Sequence, residues 1–318
     1  MKVDWSQYEY YKGFSKEGSK IGKLMLIQQG IFQFGSIAAV AILLIIFALA
    51  AVFRQGEYTS DVYMGVLEDS AMVKFCVYLG SAIMQLVAGI CFLVFYMQNK
   101  EVIRNAPLEG RHTSLKYILK GWLYIESVFV ILSGMKFFLC LVTHHDPTDA
   151  MLSGAKYKVA TFLVISVFPA IVEELFFRGV LFRYLRRHGF YYAAIVSAVL
   201  FGLMHMNFSQ ILFTIPLGLV LCYVYEKTGH IWPCMLLHFL HNGTVALLTL
   251  AEDQSFMTIP FIWLGLNAAV GLGILLPLEI SPRVNVDKTA VKKTLTAIPM
   301  MVLIIIAVIV CIIRFLFS

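Results

Sequence analysis

The stretch Ile171–Arg178, IVEELFFR, decides how the chain is read. It puts Glu173, Glu174 and Arg178 inside a segment that is otherwise apolar from Val159 to Val180. A carboxylate near the centre of a bilayer costs several kcal/mol, roughly 2.5–3.5 on insertion scales. Such groups persist where buried partners hold them or chemistry requires them. On a helix, Glu174 and Arg178 stand at i,i+4 and can pair. Glu173 lies about 100° around the helix and needs a different partner. One glutamate is tied, and the other is left free to act.

Outward from that stretch the whole chain is apolar. Of its 318 residues 60% are hydrophobic and 14% charged, which lies outside the soluble globular range. Runs of about 20 apolar residues recur along it, the mark of a polytopic α-helical membrane protein. The net charge of +6 would suit a nucleic-acid partner, but its distribution points instead to membrane topology and anionic lipid. Cys76, Cys91, Cys140, Cys222, Cys234 and Cys311 all fall in apolar segments without a C-x-x-C pair. They read as small buried hydrophobes, neither disulfides nor thiolate metal ligands. The first 30 residues hold five lysines and no cleavable apolar core, so 31–53 is expected as a retained first span.

The fold expected is an all-α transmembrane helix bundle of about nine spans: 31–53, 75–97, 117–143, 159–182, 190–206, 210–225, 231–250, 258–278 and 295–317. The sixth is short. The organisation is a basic segment (1–30), three N-terminal helices (31–158), a core (159–250) and two C-terminal helices (251–318). With these spans, eighteen Lys and Arg residues fall on one side: those up to Lys23, then 100–120, 183–187, Lys227 and 283–293. Five fall on the other, and Lys136 and Arg178 lie inside spans. That asymmetry places the N-terminus in the cytoplasm of an integral membrane protein, with a bacterial-type plasma membrane the expected home. Trp5, Tyr8, Tyr10 and Tyr11 suit a headgroup-level belt, or else a loose polar tail.

Three further features sit within spans. Glu126 in span three is either a structural partner or a group near the site, while Lys136 is close enough to a span end to snorkel. Pro169, four residues before Glu173, removes a backbone hydrogen bond and frees a carbonyl in span four. The remaining polar clusters are FGLMH (Phe201–His205) at the end of span five and HFLHN (His238–Asn242) in span seven. His238 and Asn242 share a face at i,i+4, and His241 stands at i+3 from His238. His112, His144, His145, His188 and His230 fall in loops and read as surface residues.

A single intramembrane histidine is ordinarily interhelical glue. Two glutamates, an arginine, two histidines and an asparagine on three neighbouring spans are better explained by one shared polar cavity. Two neutral imidazoles and a carboxylate form the ligand set of a catalytic Zn²⁺ with a fourth position for water. Without a metal, the same residues supply a general base in Glu173, an orienting imidazole and donors for an oxyanion. Both arrangements describe hydrolysis by an activated water. Counted along straight helices, however, His205 lies at a different depth from Glu173 and His238.

In order, Glu173-Glu174-x-x-x-Arg178, Phe201-x-x-x-His205 and His238-x-x-x-Asn242 resemble the three motifs of the CPBP family, with FGLMHMNFSQ and YEKTGHIWPCMLLHFLHN similar as well. That family contains type II CAAX prenyl endopeptidases and the Abi proteins linked to bacteriocin maturation and self-immunity. The resemblance covers about 159–250 and puts the family core in spans four to seven. It implies Glu173, His205 and His238 as catalytic residues, and as metal ligands if a divalent metal, Zn²⁺ first, is used. Glu174 and Arg178 would support them, and Asn242 would complete the site. The activity implied is an intramembrane endopeptidase, metal-assisted or metal-free, acting on a membrane-associated peptide or protein tail, with the bilayer as partner and no nucleic acid. The rivals are a non-catalytic immunity or scaffold protein that keeps the fold, and a proton-coupled transporter. No internal repeat of the kind transporters carry is visible.

Overall fold

The computed structural model describes residues 5–55, 64–65, 67–110, 115–143, 158–250, 265 and 287–317, and among them there is no strand. The first helix, α1 (Trp5–Gln55), is proline-free and runs unbroken through the basic segment into the first span. At 1.5 Å per residue it is about 75 Å long, more than twice a hydrocarbon core, so its N-terminal part is a helical extension. That part is helical and not a loose tail. Phe14, Glu17, Ile21, Met25 and Gln28 are buried at helical spacing, while Tyr8 and Tyr10 stay exposed. The helix α2 (Ser70–Arg104) breaks at Asn99, whose amide donates to the Phe95 carbonyl at 2.7 Å. Next comes α3 (Leu115–Thr143).

The fourth span, α4, is a composite rod over 158–185. Two π segments, Leu163–Val167 and Leu175–Phe182, flank the α-helical piece Phe168–Glu174. Then follow α5 (Phe190–Leu203), α6 (Phe208–Thr228) and α7 (Trp232–Leu250). The chain re-enters the described region at α8 (Lys288–Leu295) and α9 (Ile298–Phe317). Asn207 caps α6 by accepting from the Gln210 amide, and Gly229 ends it at φ 69°. Among the described residues, four helices are long and apolar enough to cross a membrane: Ser6–Arg54, Met72–Arg104, Phe208–Thr228 and Ile298–Phe315.

Expected spans one to seven and nine each fall on a described helix. Two differ in extent. The sixth is not short, because its cap at Asn207 and its glycine stop at Gly229 give α6 21 residues. The fifth ends at Leu203, which leaves His205 in the following turn. The eighth, 258–278, lies outside the described residues apart from Gly265, as do His112, His144 and His145; the side chains of Lys136 and Cys140 are likewise outside them.

The rod α4 sits at the centre. Its Phe177, Leu181, Phe182 and Leu185 are buried with Val196, Leu200 and Phe201 of α5, Leu217, Leu221 and Val224 of α6, and Leu237 of α7. From the other side, Phe92 of α2 stacks on Phe176 at 4.8 Å. Gly18 and Gly22 of α1 lie against the backbone of 294–300, where a Cβ at either would collide. This small-xxx-small spacing is what lets α8 and α9 approach α1 closely.

One end of the bundle collects the segments that the charge count groups on one side. Arg186 grips Glu226 through Nε at 2.9 Å and Nη2 at 2.6 Å. Arg187 meets Glu17 at 2.8 Å, and Lys227 meets Glu109 at 2.5 Å. His188 lies at the surface as expected, but its Nε2 stands 2.7 Å from Glu17 and its ring packs on Phe14. Glu226 is buried and also accepts from the Glu109 amide at 3.3 Å. Replacing it by Ala leaves Arg186 and that amide without their acceptor, and is expected to cost about 2 kcal/mol. Glu109→Ala, at a half-exposed partner, is expected to change stability by under about 0.5 kcal/mol. Thermal melts of the two variants in detergent check the contrast.

Candidate functional site

The π segments bracket the two glutamates. Each widens the backbone turn to i→i+5, a distortion that recurs at functional sites. Pro169, near the start of the α-helical piece, has no N–H to give the carbonyl four residues earlier, that of Ile165. Asn242 of α7 donates to that carbonyl from Nδ2 at 3.3 Å. The proline, the π segment and Asn242 therefore form one local solution: a carbonyl freed inside an apolar bundle is met by an amide from the neighbouring helix.

The two adjacent glutamates have different surroundings. Glu174 is fully buried, and its Oε1 accepts from Arg178 Nη1 at 2.7 Å. Arg178 is equally buried; its Nη2 donates to the Gly218 carbonyl at 3.3 Å, and its guanidinium lies 4.6 Å from the Phe201 ring centre. The same Glu174 Oε1 stands 2.9 Å from His238 Nδ1. An ionised carboxylate only accepts, so Nδ1 carries the proton and Nε2 presents its lone pair. That Nε2 faces Glu173 Oε2 at 3.9 Å, too far for a direct hydrogen bond and near enough for one water to touch both. The Glu173 side chain is 16% exposed, unlike that of Glu174. Its other oxygen, Oε1, accepts from Gln85 Nε2 of α2 at 2.8 Å.

His205 is joined to this group through an aromatic ring. Its Nδ1 lies 2.9 Å from the Phe201 carbonyl, and a carbonyl only accepts, so the proton is again on Nδ1. Phe201 presents its ring edge-on to both His205 and His238, with centres 5.2 and 5.9 Å apart. The turn carrying His205 is held from α1, where Gln29 Nε2 donates to the Met204 carbonyl at 2.6 Å. Met206, at φ 47°, takes the left-handed conformation that a side chain rarely adopts. Glu126 has a partner in α7: its Oε1 is 3.6 Å from His241 Nδ1, whose ring stacks on Phe213 at 4.4 Å.

The structure thus brings together Glu173, Glu174, Arg178 and His238, with Asn242 one turn further along α7. Both histidines hold their proton on Nδ1 against an acceptor and turn Nε2 away from it, as imidazoles that ligate a metal through Nε2 commonly do. Among the described residues, however, no three His, Cys, Asp or Glu side chains are grouped closely enough to hold a metal ion. The three-ligand set of Glu173, His205 and His238 is not assembled in this conformation. Gln85 and Gln29 are additions that motif spacing did not reveal. The sequence signal for Gln85 was an uncharged polar residue at i,i+4 from Gly89 in a span that is apolar but for Ser81 and tyrosine hydroxyls.

Fold and site together define a polytopic helical membrane protein with a CPBP-type core. Residues 155–244, which contain all seven named motif residues, match the family model described as Rce1-like, type II CAAX prenyl endopeptidase Rce1-like. The chain is also similar to a protein of Bacillus subtilis (strain 168) named "Putative membrane peptidase YdiL", at 22% identity over 170 residues, which cover 53% of this chain and 70% of that protein. No solved structure matches the chain significantly.

Proposed function

We propose that this chain is an intramembrane endopeptidase that hydrolyses a peptide bond in a membrane-associated peptide or protein tail. One observation carries the proposal: Glu174 Oε1 contacts both Arg178 and His238 Nδ1, which turns His238 Nε2 toward Glu173 Oε2 across a gap of 3.9 Å. A water in that gap donates one hydrogen to Glu173 and the other to His238, and its lone pair is left for the scissile carbonyl carbon. Glu173 takes the water's proton as the C–O bond forms. It then delivers that proton to the amide nitrogen as the C–N bond breaks, giving a free amine and a carboxylic acid. The second Nδ2–H of Asn242 is the donor assigned to the developing oxyanion. The basic end of the bundle faces the cytoplasm, in line with the Lys and Arg asymmetry.

The test uses purified protein in liposomes with internally quenched peptides, one ending in a farnesylated CAAX sequence and a library without a lipid. Cleavage is expected at a rate at least about 100-fold above that of His238→Ala. A rate no higher than that variant's would overturn the proposal and favour the non-catalytic scaffold. Chelation followed by Zn²⁺ restoration forms a second arm: activity that survives chelation belongs to the water-only site, and activity lost and restored belongs to a metal that draws in His205.

A further inference from the structure

We infer that Gln85 is a positioning residue for Glu173: its amide engages Oε1 and so makes Oε2 the oxygen that meets the water. The inference rests on the reading of Glu173 as the base. Gln85 comes from α2, outside the segment that matches the family model, and no motif includes it.

Two observations support it independently. The first is the bond itself, Gln85 Nε2 to Glu173 Oε1 at 2.8 Å, joining residues 88 apart in the chain. The second is the packing that delivers it. Gly89 stands one turn beyond Gln85 on α2, and Phe176 stands one turn beyond Glu173 on α4. The Phe176 ring occupies the place a Cβ on residue 89 would take, and it stacks on Phe92 at 4.8 Å. The approach of α2 to α4 is therefore set by Gly89, Phe92 and Phe176, and Gln85 is held at the carboxylate by an apolar contact one turn away.

The chemistry favours glutamine over the alternatives. A carboxylate has two equivalent oxygens and turns freely unless one is held. A neutral amide holds Oε1 without neutralising the charge that a base needs, whereas lysine would form a full ion pair and glutamate would repel. With Oε1 engaged, the oxygen left over is the one that faces His238 Nε2.

Gln85→Leu, Gln85→His and Gln85→Glu are compared with wild type and Glu173→Gln, using whichever quenched peptide the wild type cuts fastest. Gln85→Leu removes the donor at similar volume and is expected to lower kcat roughly 10- to 100-fold with KM within about twofold. Gln85→His restores an N–H and is expected to recover most of that loss, while Gln85→Glu falls below both. A role in packing alone predicts the reverse order for Leu and His. Wild-type kcat in Gln85→Leu, a change confined to KM, or His no better than Leu would overturn the inference. If the Leu variant does not fold, the His and Glu variants decide it by their order.

Infrared difference spectra supply a readout that needs no turnover. The carboxylate band that disappears in Glu173→Gln is expected to shift in Gln85→Leu, and an unshifted band would sink the assignment. Turnover by Glu173→Gln would instead remove the reading of Glu173 as base, whereas an inactive Glu173→Gln beside a fully active Gln85→Leu would remove only the role of Gln85.

Discussion

Glu173→Gln is expected to yield a protein that folds like the wild type and loses cleavage by roughly 10²–10⁴-fold. The side chain keeps its size, and its Oε1 still accepts from Gln85 Nε2. What changes is the oxygen facing His238, which becomes an amide nitrogen with no basicity and nothing to offer a water's proton. Because the Glu173 side chain is 16% exposed and, among the described residues, pairs with no Lys or Arg, its charge holds little of the fold together. The thermal midpoint is expected within a degree or two of wild type, as for a surface-like substitution under about 0.5 kcal/mol. Turnover measured beside a melting curve separates the two effects. Activity within tenfold of wild type would show that another group activates the water.

The pairing that makes Glu173 free was legible in the sequence. A spacing of four residues in an apolar run has one economical meaning on a helix, and Arg178 does pair with Glu174 at 2.7 Å. The carbonyl freed by Pro169 was legible too, because a missing N–H is a property of the residue itself. Its acceptance from Asn242, 77 residues away, was not. The π segments were equally hidden: changing the hydrogen-bond reach from i+4 to i+5 leaves composition and apolar pattern unaltered. The end of α5 at Leu203 also escaped, since the residues after it, Met204, His205 and Met206, are not turn formers, and Met206 takes its left-handed backbone without glycine.

Most of what was illegible comes from outside the motif-bearing helices. Each of the three N-terminal helices sends uncharged or acidic side chains to the core, among them Gln29 to the turn of His205, Gln85 to Glu173, and Glu126 to His241. In sequence, a single glutamine in a long span is indistinguishable from interhelical glue. Its meaning is supplied by which residue it meets. The three helices are therefore more than a membrane anchor for 159–250, since they supply polar partners to side chains and backbone of the motif-bearing segment.

Glu174→Ala, in contrast to Glu173→Gln, is expected to damage the fold and the chemistry together. It leaves the Arg178 guanidinium fully buried with the Gly218 carbonyl at 3.3 Å and the face of Phe201, and without a counter-charge. Removing one member of a buried ion pair typically costs about 3–5 kcal/mol, because the survivor's charge is stranded away from water. His238 loses the acceptor that fixes its Nδ1 proton, so its ring is no longer held with Nε2 toward Glu173. The double variant Glu174→Leu with Arg178→Met separates these losses. Replacing both charges with apolar side chains of similar size removes the stranded cation, and stability is expected to return to within about 1–2 kcal/mol of wild type. Activity is expected to stay low, because the fold no longer needs the pair but His238 still needs its acceptor. Melting temperature and turnover of the three proteins decide the matter. A double variant that is both stable and as active as wild type would show that Glu174 serves only to neutralise Arg178 and has no part in aiming His238.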